Sequence, residues 1–121
     1  MPYVDIKTDF LMENIDVRTL NKNICDKLSV PRSRIKISWA VFHEDHFCNH
    51  PPEDCLPSEM GMHRPIVQIT VSKRNDRSFV GSLVKAVVEE LCMILNTKEE
   101  NVLVLIYYLD QGDIFINGSY V

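Results

Sequence analysis

Residue 2 of the chain is a proline, and its chemistry depends on what precedes it. Initiator methionine is usually removed before a residue as small as proline. Removal of Met1 leaves Pro2 with a free secondary amine, which can take up and release a proton. An internal proline has only an amide nitrogen and can do neither. Pro2 is therefore a candidate acid–base group. A second concentration of reactive side chains lies between residues 43 and 63. It holds all four histidines (His43, His46, His50 and His63) together with Cys48 and Cys55. Imidazole and thiolate are the ligands zinc prefers, and imidazole also serves acid–base chemistry near neutrality. The spacing H-x2-H-x-C-x-H-x4-C-x7-H matches no strong zinc signature, and Pro51-Pro52 interrupts it. A solvated histidine-rich loop is the plainer reading, and no metal is expected there. Cys48 has no partner base that the sequence identifies, which argues against a nucleophilic role.

The elements that must position these groups follow from periodicity. Pro2 heads a run in which Val4, Ile6 and Thr8 alternate with Tyr3 and Asp5, the period of a β-strand over about residues 2–8. Asp16 is a good N-cap, and Val17, Leu20, Ile24 and Leu28 follow at helical spacing. Ser29-Val30-Pro31 ends that helix, because proline disfavours a helical residue before it. Arg34 to Phe42 reads as a second strand and residues 43–64 as a long loop. Pro65 then heads a third strand over 65–72, 63 residues after Pro2. Asp76 or Ser78 caps a second helix, whose stripe is Phe79, Leu83, Val87, Leu91 and Ile94 or Leu95. Residues 101–108 form a fourth strand. Gly112-Asp113 and Asn117-Gly118 mark turns around a short strand from Ile114 to Ile116.

The order is β-α-β, loop, β-α-β, short β. Each crossover is long enough for a helix and implies parallel pairing within its unit. The expected fold class is α/β, an α+β sandwich of two β-α-β pseudo-repeats. They form one four-stranded sheet with both helices on one face. A single domain spans 1–121: repeat one at about 2–42, the loop at 43–64, repeat two at about 65–109, and a short C-terminal strand within 112–121. The other sheet face is left bare. Ile35, Ile37, Trp39 and Val41 in strand two, with Leu103, Val104, Leu105 and Ile106 in strand four, suggest large apolar side chains on both faces. Such a face needs cover, so a homo-oligomer is expected. Trp39 and the Tyr107-Tyr108 pair fit either a core or an interface.

Composition removes several function classes. The 121 residues are 45% hydrophobic and 25% charged, ordinary for one globular domain. A net charge of −4 without a Lys/Arg run argues against nucleic acid or an anionic membrane as partner. The longest apolar run, Val102 to Leu109, is too short to span a bilayer. The N-terminus has neither the basic nor the apolar region of a signal peptide, so a cytoplasmic protein with free thiols is expected.

A proline-headed first strand, two β-α-β units and a trailing short strand together resemble the tautomerase superfamily, which includes 4-oxalocrotonate tautomerase and macrophage migration inhibitory factor. The two-unit length is similar to the latter. Residues 65–106 look like a whole short 4-oxalocrotonate-type subunit. The resemblance implies a homotrimer acting on a small 2-keto acid or its enol. Pro2 is then the base, and basic side chains bind the substrate carboxylate. No cofactor is implied. Lys36 follows Pro31 by five residues, the spacing at which the short members place a basic residue in the second strand, so it is the implied catalytic partner of Pro2. Arg32, Arg34 and Arg74 are candidates to bind the carboxylate, and Phe115 or Ile114 to form an apolar wall. The chain departs from the pattern at two places. Phe10, Leu11 and Met12 stand where the short members carry an arginine, and Leu103 and Leu105 stand near positions that are tyrosine and asparagine in the inhibitory-factor pocket. Two other readings remain: a non-catalytic interaction protein on the same trimeric scaffold, and a metal-binding module built on the 43–63 loop.

Overall fold

The computed structural model describes residues 2–121. The first repeat is β1 (Tyr3–Thr8), α1 (Val17–Leu28) and β2 (Lys36–Val41). The second is β3 (Ile66–Ser72), α2 (Arg77–Leu95) and β4 (Leu103–Leu109). The strands form one sheet in the order β2-β1-β3-β4. β1 runs parallel to β2, and β3 runs parallel to β4. The two repeats join where β1 pairs antiparallel with β3, with Tyr3 opposite Thr70 and Lys7 opposite Ile66.

Both helices start on an aspartate. Asp16 accepts the Arg18 N–H and Asp76 accepts the Phe79 N–H, supplying acceptors that a helix N-terminus otherwise lacks. These bonds favour the carboxylate form and hold both side chains below the usual aspartate range. Both helices end on a left-handed residue, Ser29 and Asn96. Each helix is followed by a 3₁₀ turn, at Arg32–Arg34 and at Glu99–Asn101, that leads into the next strand.

The core lies between the sheet and the helices. Val4, Ile6, Val67, Ile69 and Val71 point to one face and meet Leu20, Ile24, Leu83, Val87 and Leu91. All ten are buried. Lys27 crosses between the helices, with Nζ 3.0 Å from the Glu90 carboxylate and 3.1 Å from that of Glu89. Glu90 is only 3% exposed, and the hydrogen bonds that Lys27 donates to it and to Glu89 raise the Lys27 pKa.

The open sheet face differs from the sequence expectation. Ile37 and Trp39 lie in register with Val4 and Ile6, so both pack on the helix face. Lys36, Ser38 and Ala40 occupy its open face, next to Tyr3, Asp5 and Lys7. Here Lys7 Nζ donates to Asp5 at 3.0 Å and to Gln68 at 2.9 Å, and Tyr3 and Ser38 share a 2.6 Å hydroxyl bond. β4 keeps the apolar character, with Leu103, Leu105 and Tyr107 exposed on that side. The expected short C-terminal strand is one arm of a hairpin, β5 (Phe115–Ile116) paired antiparallel with β6 (Ser119–Tyr120). Asn117 and Gly118 both have positive φ at its turn, the two-residue geometry that matches strand twist. Among the described residues, no helix is long and apolar enough to cross a membrane.

Candidate active site

Pro2 is buried at the head of β1. Its carbonyl accepts the Lys36 N–H at 3.0 Å, continuing the β1–β2 ladder by one bond. The antiparallel register carried one step beyond Tyr3–Thr70 brings Pro2 opposite Val71, beside the end of β3. Met1, on whose removal the terminal amine depends, lies outside the described residues.

The chain turns sharply after β3. Ser72 organises that turn: its hydroxyl accepts the Arg74 N–H at 3.2 Å, and its carbonyl accepts both the N–H and the side-chain amide of Asn75, at 3.0 and 3.1 Å. The 3₁₀ turn before β2 approaches from the other side, closed by the Arg34 N–H donating to the Pro31 carbonyl at 2.9 Å. Arg34 and Arg74 then line one cavity of about 270 Å³, together with Ser72, Asn75, Ile114 and Val121. The Arg34 guanidinium also lies over the Phe79 ring, 5.7 Å from its centroid. Among the described residues neither Arg34 nor Arg74 forms an ion pair. Arginine side chains without an ion-pair partner are suited to binding a carboxylate, which a guanidinium can hold in bidentate fashion.

The other sequence candidates lie elsewhere. Arg32 donates to the Asn21 side chain at 3.1 Å and to the Arg18 carbonyl at 2.8 Å, which commits it to α1. Lys36 is exposed on the open sheet face, opposite Tyr3. Phe115 is exposed, its ring edge-on to Tyr120 at 5.0 Å; its neighbour Ile114 is the one that lines the cavity. Ser72, Asn75 and Val121 were not anticipated. A serine ending a strand just before a capped helix is the only sequence signal for the first two.

The opposite end of the sheet repeats this geometry with different chemistry. The Pro65 carbonyl accepts the Leu103 N–H at 3.1 Å, as Pro2 does with Lys36. Asn101 closes its 3₁₀ turn onto the Lys98 carbonyl at 2.9 Å and so stands where Arg34 does. It is buried, with its amide donating to Thr97 at 3.1 Å and lying 3.5 Å from the Met62 sulfur. His63 sits between Asp9 at 3.6 Å and Glu13 at 3.3 Å. The chain's own Met62 and His63 thus engage the second end.

The 43–64 loop belongs to that second end, since Phe42 follows β2 there and donates to the Thr8 carbonyl at 2.8 Å. Three 3₁₀ turns punctuate the loop. Its histidines divide: the His43 and His46 rings pack 5.8 Å apart, while His63 joins Asp9 and Glu13. Among the described residues, no group of three or more such side chains is placed to hold a metal.

No protein-family profile matches the sequence, and no curated protein does. Solved structures do match. Pt0534 inactivated by 2-oxo-3-pentynoate superposes with a TM-score of 0.72 at 10% identity, covering 98% of this chain and 94% of that one. A fused 4-OT wild-type symmetric trimer gives 0.68 at 10% identity, covering 97% and 93%. The macrophage migration inhibitory factor of Trichinella spiralis gives 0.67 at 11% identity, covering 98% and 99%. The chain has the fold of the tautomerase superfamily over nearly its whole length.

Proposed function

We propose that this protein is a tautomerase-like enzyme that moves a proton within a small 2-keto acid or its enol. The observation that carries the reading is the pair Arg34 and Arg74 on one cavity, at the sheet end where Pro2 begins β1. The Pro2 amine, freed by removal of Met1, takes the proton from the carbon next to the keto group. The C–H electron pair moves into the new C=C bond as the keto oxygen gains charge. Arg34 and Arg74 hold the carboxylate and stabilise that oxygen. Return of the proton at the other end of the enol system completes the shift. Burial of Pro2 suits this role, because an enclosed amine loses hydration of its charged form, which favours the neutral base. That Pt0534 is inactivated by a 2-oxo acid supports the substrate class.

The working assembly in this proposal is a homotrimer, as in the fused 4-OT trimer. Trimerisation covers the exposed Leu103, Leu105 and Tyr107. It also gives Lys36, which does not line the Arg34–Arg74 cavity, a site on a neighbouring copy.

The test is ketonisation of phenylpyruvate enol by protein whose intact mass shows loss of Met1. Acceleration over buffer supports the proposal. Absence of any acceleration in such a sample favours the second reading, an interaction protein on the same scaffold, for which the hydrophobic Leu103 and Leu105 are the favouring observation.

A further inference from the structure

The end of the sheet away from Pro2 carries a second surface. β1 leaves the sheet there into residues 9–16, and β2 leaves it into the 43–64 loop. The two segments are joined by His63 with Asp9 and Glu13, and by Phe42 with Thr8. Phe10 and Met12 come from the first segment and Leu56 and Met60 from the second, and Val41 ends β2 at the same end of the sheet. All five side chains are more than half exposed. Unbranched methionines on an exposed surface suit a contact that adapts its shape to the partner.

Charge says what kind of partner. Residues 9–16 and 43–63 hold eight of the chain's 17 Asp/Glu and none of its 13 Lys/Arg. They make up roughly a quarter of the chain, yet their charge of eight negatives is twice the −4 of the whole. The rest of the chain, including the Arg34–Arg74 end, is net positive. An apolar patch in an acidic field attracts a partner with apolar and basic faces, and repels an anionic membrane. The field also disfavours a second copy of the same surface, which would set like charges against each other.

We propose that this patch, centred on Phe10, Met12, Leu56 and Met60, docks a basic amphipathic helix of another protein, apolar face inward and lysines or arginines toward the acidic rim. Such helix-in-surface recognition uses a few apolar anchors and charge around them. The site is independent of the tautomerase reading, because it lies at the opposite end of the sheet from Pro2.

The experiment is calorimetric titration of the full-length protein with a synthetic helical peptide carrying leucines on one face and lysines on the other. Saturable binding that weakens with added salt is expected. Met60→Glu and Phe10→Glu, each on an exposed side chain, should weaken it at least about tenfold, the loss typical of an anchor residue. Met93→Glu, an exposed methionine on α2, should leave it unchanged. Circular dichroism establishes that each variant is folded. Four results overturn the proposal. One is no binding of the lysine peptide. Another is equal binding of a peptide with the same leucines but glutamates on the other face. A third is binding indifferent to both patch variants. The last is a patch that serves another occupant: loss of self-association, or of adsorption to zwitterionic vesicles, in Met60→Glu.

Discussion

The Pro2 carbonyl accepts the Lys36 N–H at 3.0 Å, and the matching bond in the second repeat joins Pro65 to Leu103 at 3.1 Å. One backbone solution serves both halves of the chain, but the side chains placed on it differ. At the Pro2 end the neighbouring turns deliver Arg34 and Arg74 to a cavity. At the Pro65 end the equivalent turn delivers Asn101, which meets Met62, and His63 pairs with Asp9 and Glu13. In the proposed function, one of these two pseudo-equivalent ends receives a small anion.

The two arginines give a direct prediction. If both hold the substrate carboxylate, Arg74→Ala and Arg34→Ala should each lower kcat/KM on a 2-keto acid enol by at least about tenfold, since a charge-assisted contact is worth roughly 1.5–3 kcal/mol. Arg32→Ala should change kcat/KM less than either, because its bonds go to α1. Steady-state kinetics on the three variants checks the ranking. Equal losses in all three would mean that the cavity is not the binding site.

Assembly gives a second prediction. The protein should be trimeric by light scattering at micromolar concentration. Leu105→Lys places a charge on the exposed apolar half of the open sheet face and should shift the trimer toward monomer. A wild-type protein that is monomeric throughout would remove both the trimer and the neighbouring-copy role of Lys36.

Stability should depend on the interhelical ion pair. Lys27→Met leaves the Glu90 carboxylate buried without its cation. Removing a partner from a buried pair is costly, but Lys27 is partly solvated, so the expected loss is about 1–3 kcal/mol, seen as a lower Tm. The pH dependence has a definite sign. Glu90 and Glu89 raise the Lys27 pKa above its ordinary 10.5 in the folded state. The pair's contribution is therefore complete below that ordinary value and is lost as pH rises through the higher folded one. Denaturation midpoints between neutral and strongly alkaline pH should fall more steeply for wild type than for Lys27→Met. Parallel curves would show that the pair is not coupled to folding.

Much of the fold was legible because its signals are local. Both aspartate caps, the proline after α1 and the alternation of β1 act within a few residues of where they are read. The expectation of an apolar open face on β2 was a misreading of phase. Ile35, Ile37, Trp39 and Val41 occur only at odd positions, which places them on one face. β6 has no sequence signature, because two residues, Ser119 and Tyr120, carry no periodicity. The site was legible as residue types and not as a selection among them. Arg32 and Arg34 are two residues apart, and only the tertiary position of Asn21 and the Arg18 carbonyl commits the first to α1 and leaves the second for the cavity. The loop histidines lie at the far end of the sheet because β1 and β2 run parallel, a consequence of the crossover and not of any histidine.

The central claim is that Pro2 is the base, and Pro2→Ala tests it most directly. The variant keeps a terminal amine after Met1 is removed, but a primary and less rigid one. Ketonisation of phenylpyruvate enol should be measured for wild type and variant, with intact mass establishing that both lack Met1. A positioned acid–base group contributes about 10²–10⁴-fold, so the predicted result is a loss of at least about tenfold in kcat/KM. Undiminished activity in Pro2→Ala would contradict the account and assign the proton transfer to another group.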